Sequence, residues 1–221
     1  MKRKELLALI EQGENLCCEF KLRFSSYEKL AKEITAFANT KGGYLIFGVD
    51  DDKNIIGVES EKEITEIILE AAQKYCEPPI DVNITSIDFH NKEIVIADIK
   101  ESANKPHRIQ DYLNELNINS ALVYVRINDK SVQASREMIR VLRSKSGGNN
   151  LKKYFIGNME KTVFDYLEKN ETINVEKLCS LANISERRAS RTLVKMVRAN
   201  ILLIHTKDNG EDYFTFAGNT K

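Results

Sequence analysis

Apolar and polar positions along this chain change period several times, and each change marks a predicted element. Residues 4–11 follow a helical spacing that Gly13 ends, and residues 17–23 alternate like a strand. Ser25 or Ser26 is placed to cap a helix in which Leu30, Ile34, Phe37 and Ala38 return on one face. After Gly42 and Gly43, residues 44–49 form an unbroken apolar run of strand length. The polar cluster 50–54 then turns the chain, and 55–58 returns as the expected hairpin partner. A second amphipathic helix is predicted over 63–76, stopped by Pro78 and Pro79. Strands at 81–89, 93–100 and 122–127 and a helix near 135–143 follow. Hairpins mixed with helices predict an α+β fold with a mixed or antiparallel sheet.

Residues 144–150, Ser-Lys-Ser-Gly-Gly-Asn-Asn, are small, polar and flexible, and they read as a linker between a domain at 1–143 and a smaller one at 151–221. In the second domain a helix is predicted over 159–169. Asn174 caps another that ends at Ala182, and Ser185 caps a third running to about residue 198. Two short strands, 201–205 and 213–216, are joined by Lys207-Asp208-Asn209-Gly210 into a ribbon. This order resembles a winged helix-turn-helix.

Composition narrows the classes. The 221 residues suffice for one medium and one small domain, each with its own core. No apolar run reaches membrane-spanning length and the N-terminus lacks a secretory core, so a cytoplasmic protein is expected. Cys17, Cys18, Cys76 and Cys179 lack a CxxC spacing, and His90, His107 and His205 are scattered, which argues against a dedicated zinc site. The net charge of zero argues against non-specific coating of nucleic acid. Its distribution is uneven: residues 151–221 carry 12 Lys and Arg against 9 Asp and Glu, a net +3, and the first 150 carry 21 against 24, a net −3. A nucleic-acid footprint is therefore expected as a local patch on the C-terminal part.

Candidate chemistry begins at Glu14, Glu19 and Lys21. On one strand Glu19 and Lys21 face the same side, whereas Glu14 falls on the other unless the chain bends near Gly13. With a bend, paired carboxylates and a lysine could hold Mg²⁺ or Mn²⁺ and activate water against a phosphodiester. Without one, the pattern is a solvated strand face with a Glu–Lys pair. Asp50, Asp51 and Asp52 offer a further carboxylate and, equally, a good turn. Gly42-Gly43 lacks the GxxxxGK[ST] context of a phosphate cradle and is more simply a helix C-cap leading into a strand.

The segments Glu14-Asn15-Leu16-Cys17-Cys18-Glu19-Phe20-Lys21, Phe37-Ala38-Asn39-Thr40-Lys41-Gly42-Gly43 with the strand after it to Asp51, and Ile55-Ile56-Gly57-Val58, in this order and spacing, resemble the Schlafen/AlbA-type DNA-binding domain. Such domains occur in bacterial transcriptional regulators and in the nuclease core of vertebrate Schlafen proteins. Lys105-Pro106-His107 and Tyr124-Val125-Arg126-Ile127-Asn128 extend the resemblance over residues 12–143. It implies Glu14, Glu19 and Asp51 as metal-binding acids, Asp50 and Asp52 competing for the last register. Lys21 would stabilise phosphate charge, and Lys105, His107 and Arg126 could contact phosphate oxygens. The alternative for these segments is a tight proline turn and an ordinary surface arginine.

In the helix beginning after Ser185, Ala189, Leu193 and Val197 are expected to face the core. Arg187, Arg188, Ser190, Arg191 and Lys195 are left for a DNA groove, and Lys207 for the backbone. The competing reading is a protein-interaction module with an ordinary charged face. The combined expectation is a DNA-binding transcriptional regulator that binds DNA rather than RNA, needs no cofactor to do so, and acts as a homodimer without membrane association. The alternative is a nuclease using Mg²⁺ or Mn²⁺ on Glu14, Glu19 and Asp51.

Overall fold

The structure, a computed structural model, describes residues 1–110, 121–146 and 154–217. Contacts divide the chain into two compact units, Met1–Gln133 and Ala134–Lys221.

The first unit runs α1 (Arg3–Gln12), β1 (Cys18–Lys21), α2 (Tyr27–Asn39), β2 (Gly42–Phe47), α3 (Glu61–Lys74), β3 (Cys76–Glu77), β4 (Val82–Asp88), β5 (Glu93–Lys100), β6 (Arg108–Ile109), β7 (Tyr124–Ile127) and β8 (Lys130–Gln133). Four strands form a mixed sheet in the order β1-β2-β5-β4. Strands β1 and β2 are parallel, joined through α2, and the other pairings are antiparallel. Residues 55–58 do not return as a hairpin strand. Only Val49 and Ile55 bridge, and β2 lies between β1 and β5 instead.

The unbroken apolar run of β2 follows from its place inside the sheet, where both faces are covered. Leu45 and Phe47, with Val95, Ala97 and Ile99 of β5, pack under α2 and α3. Ile46, Ile94 and Ile96 face the other side, where Leu6 and Ile10 of α1 meet Cys18 and Phe20 of β1. Helix α2 starts as the sequence implies: the Ser26 hydroxyl accepts a hydrogen bond from the Lys29 N–H at 3.3 Å. Its C-terminal turn needs both glycines. Gly42 has φ +74°, and a Cβ there would lie 2.6 Å from the Ile99 carbonyl oxygen. A Cβ on Gly43 would lie 2.4 Å from the Phe37 ring. These close approaches account for the glycine pair through helix-to-strand packing.

The second unit contains α4 (Arg136–Ser146), α5 (Asn158–Leu167), α6 (Val175–Ala182), α7 (Glu186–Arg198), β9 (Leu202–Thr206) and β10 (Asp212–Phe216). Helix α4 continues through Ser146, so residues 144–146 of the expected linker are helical, and 147–150 lie outside the described residues. The Asn174 side chain caps α6 by accepting from the Lys177 N–H at 2.8 Å, whereas the Ser185 side chain makes no capping bond to α7. Val163, Leu178, Ala189, Leu193, Met196 and Phe214 fill the core beneath the β9–β10 hairpin. Val197 packs partly buried against it. Ile173 pairs across to Phe214 through bonds of 3.0 and 2.7 Å, adding a third extended segment beside the hairpin. No described helix is long and apolar enough to cross a membrane.

Candidate functional site

The chain bends between α1 and β1, as convergence of the acids requires. Gly13 has φ +82°, and the Asn15 carboxamide accepts from the Cys17 N–H at 2.8 Å while the Asn15 and Cys18 backbones bridge. The bend lets the Glu14 carboxylate reach back to accept from the Phe20 N–H at 2.9 Å. Although Glu14 as a residue is exposed, the withdrawal of its carboxyl from water raises its pKa, and the charges of Glu19 and Asp51 raise it further. Glu14 is therefore within electrostatic reach of both Glu19 and Asp51.

Their partners differ. Glu19 is buried, and its Oε1 accepts from Lys21 Nζ while its Oε2 accepts from Arg126 Nη1 at 2.9 Å. Asp51 is exposed on the loop after β2. Asp50 shapes that loop, accepting from the Asn54 N–H at 2.7 Å, and these bonds to Asn54 lower its pKa. Among the described residues no group of three or more His, Cys, Asp or Glu is placed to hold a metal ion. With both Glu19 oxygens engaged by cations, this arrangement does not fit a divalent metal on Glu14, Glu19 and Asp51.

Arg126 overturns the expected phosphate contact. Its side chain is fully buried, packed from β7 against Glu33 and Phe37 of α2. Nη1 bonds Glu19 and, at 3.0 Å, Glu33, Nη2 donates to the Asn15 carbonyl at 2.8 Å, and the guanidinium lies 4.7 Å from the Phe37 ring centroid. The Ser131 hydroxyl donates to Glu33 as well. A cation so enclosed by carboxylates, a carbonyl and an aromatic face is not presented to a ligand. Glu33 is the residue the sequence reading passed over. It stands among Leu30, Ile34 and Phe37 on the apolar stripe of α2, and a carboxylate in that stripe requires a buried cation.

Lys105 is likewise withdrawn. It is 7% exposed, with Nζ donating to the Thr40 carbonyl at 3.0 Å and to Glu101. The turn it belongs to is clamped by Asn39, whose carboxamide donates to the His107 and Tyr124 carbonyls at 2.9 Å each and accepts from the His107 N–H at 2.8 Å. The Thr40 hydroxyl donates to the Ala36 carbonyl and accepts from the Arg126 N–H, both at 2.8 Å. Thr40 thus serves a helix carbonyl at the end of α2. Asn39 instead ties the end of α2 to two distant segments.

On α7, Arg187, Arg188, Arg191 and Lys195 are exposed, and Arg187, Arg191 and Lys195 lie at i, i+4 and i+8 along one line. Ser190 does not join them. It is 2% exposed, its hydroxyl donating to Glu137 and accepting from Arg140 Nη1, both on α4. One step around the helix separates Ser190 from Arg191, and that step turns it from the solvent face to the α4 contact. Lys207 is exposed at the start of the β9–β10 turn, 3.4 Å from the Glu211 carboxylate.

Two solved structures match parts of this chain. The crystal structure of the DIP2311 protein from Corynebacterium diphtheriae is 16% identical, with a TM-score of 0.46 over 97% of this chain and 39% of that one. This chain thus spans about two fifths of that protein's length. The solution structure of the N-terminal domain of a Nitrosomonas europaea protein, described as related to the ATP-dependent DNA helicase RecG, is 17% identical, with a TM-score of 0.41 over 60% of this chain and 88% of that one. The family model described as Schlafen, AlbA_2 matches residues 14–135, more than half of the sequence and the whole of the described sheet, the Arg126 cluster and the Asn39 clamp. The chain belongs to the Schlafen AlbA_2 family.

Proposed function

We propose that this protein is a DNA-binding transcriptional regulator in which Ala134–Lys221 is a winged helix and α7 is its recognition helix. The observation that carries the proposal is the exposed line of Arg187, Arg191 and Lys195, flanked by Arg188, on a helix whose opposite face is core. Four cations on one solvent face supply both arginine forks for guanine edges and point charges for phosphate oxygens. The hairpin β9–β10 with Lys207 at its turn corresponds to a wing that touches the backbone. The AlbA_2 unit supports the reading through its family, with a homodimer pairing two recognition helices on two half-sites. In this reading its buried Arg126–Glu19–Glu33 cluster is structural, and DNA contact falls to the second unit.

The test is binding of a labelled random duplex and a structured RNA by the full chain with Mg²⁺ or Mn²⁺ present, for wild type, Arg191→Ala and Glu19→Gln. Intact duplex, with binding weakened by Arg191→Ala and indifferent to Glu19→Gln, is the expected result. Metal-dependent cutting lost in Glu19→Gln would replace the regulator with a nuclease, and absence of binding would leave a protein-interaction module.

A further inference from the structure

We infer that the outer edge of β4 is an interface between two copies of this chain, which pair antiparallel about Thr85 into one continuous sheet. β4 is the end strand of the four-stranded sheet, and all seven of its residues, Val82–Asp88, pair on one side with β5. On the other side its backbone groups take no strand partner among the described residues.

Natural edges are shielded by charged side chains, chiefly lysine, by proline, a bulge, extreme shortness or a covering helix or loop. This one, Val-Asn-Ile-Thr-Ser-Ile-Asp, carries a single charge at its end, no Lys, Pro or Gly, an uninterrupted register with β5, and four β-branched residues. Its side chains also match a second copy. Pairing about Thr85 uses the full strand and sets Val82 opposite Asp88, Asn83 opposite Ile87 and Ile84 opposite Ser86, with Thr85 facing Thr85. The only charged side chain of the strand, Asp88, then faces a valine, and the two Asp88 carboxylates sit at opposite ends of the pair. Like charges therefore never meet, and the central Thr–Thr pair is a favourable cross-strand combination.

The symmetry is also compatible with the layers. A two-fold axis perpendicular to the sheet keeps each face on its own side, so the α2–α3 layer and the α1 layer each continue beside their counterpart. Backbone pairing along an edge supplies the affinity, as in other strand-addition complexes. The inference names the surface for the homodimer of the regulator reading, yet it stands on the strand itself. A monomer that binds DNA would sink the interface alone, and a dimer that ignores DNA would sink the regulator alone.

The experiment is sedimentation equilibrium of the full chain over a micromolar concentration series, with Thr85→Lys as the blocking variant. Thr85 is exposed, and lysine is the residue natural edges use, so the variant keeps its fold, which circular dichroism verifies. Wild type is expected at twice 25.3 kDa at the top of the series, and Thr85→Lys at 25.3 kDa. Thr85→Cys is expected to give a dimer band with a short thiol crosslinker, above the wild-type background, and Asn83→Cys to give none because it faces Ile87 of the other copy. A monomeric wild type, a dimer undisturbed by Thr85→Lys, or equal crosslinking at both cysteine positions would each overturn the interface.

Discussion

Arg126 Nη1 donates to Glu19 Oε2 at 2.9 Å, joining two residues 107 positions apart across the AlbA_2 unit. The same nitrogen bonds Glu33 on α2, so β1, α2 and β7 meet at a single buried cation. Removing one partner of such a group leaves uncompensated charge out of water. Arg126→Ala is expected to lower the unfolding free energy by about 3–5 kcal/mol in urea titrations. Arg126→Lys is expected to recover only part of it, since an ammonium cannot reproduce the planar reach of two nitrogens to Glu19, Glu33 and the Asn15 carbonyl.

Asn39 carries three hydrogen bonds to the backbone at His107 and Tyr124. Asn39→Ala leaves these buried groups without partners, at about 1–3 kcal/mol for each one that water does not reach. We expect a loss of roughly 3 kcal/mol overall and faster amide hydrogen exchange in the 105–109 turn, while the second unit keeps its protection.

Gly43→Ala places a methyl 2.4 Å from the Phe37 ring, which lies in the core. Overpacking of this kind costs about 1–3 kcal/mol. The melting temperature should fall, and Phe37→Leu in the same chain should restore part of it by vacating the ring position.

Two histidines contribute to the acid limb of stability. Burial lowers the pKa of His107, whose ring nitrogens bond the Pro78 carbonyl and the Ser102 hydroxyl at 2.7 Å each, and burial likewise lowers that of His205. The folded state thus binds these protons less readily than the unfolded chain, so stability is full above the ordinary histidine value of 6.5 and declines as pH falls below it. Glu14 acts in the opposite sense at lower pH. Its raised pKa means that its proton is bound more readily in the folded state, which favours folding as pH falls toward 4.5 and is lost at higher pH. Melting temperatures between pH 7 and pH 5.5 should decrease, and the slope should flatten in a His107→Gln variant even though that variant begins less stable.

Legibility in the sequence varied with the range of the interaction. Strand β5 occupies Glu93–Lys100, the residues its pattern predicts, because alternation and flanking turns are local signals. The caps at Ser26 and Asn174 were readable for the same reason. Pairing partners were not: a run such as residues 44–49 shows that a strand is covered on both faces but does not name its neighbour, so the parallel partner β1 was missed in favour of the nearby 55–58. Arg126 and Lys105 look like surface cations in isolation, and their burial follows only from carboxylates and carbonyls distant in sequence. The one local clue was Glu33 within the apolar stripe of α2. On α7 the exposed arginines were legible from helical spacing, whereas the burial of Ser190 depends on α4, whose approach no periodicity encodes.

Docking of α7 on DNA through its cationic face makes duplex binding depend on salt. Each phosphate contact made by a lysine or arginine contributes about −0.9 to the slope of log affinity against log salt. Wild type should show a steep negative slope, and an Arg187→Ala, Arg191→Ala double variant should weaken binding to all duplexes and make the slope shallower by about 2. A slope near zero, or one unchanged in the double variant, would contradict the assignment of α7 as the recognition helix.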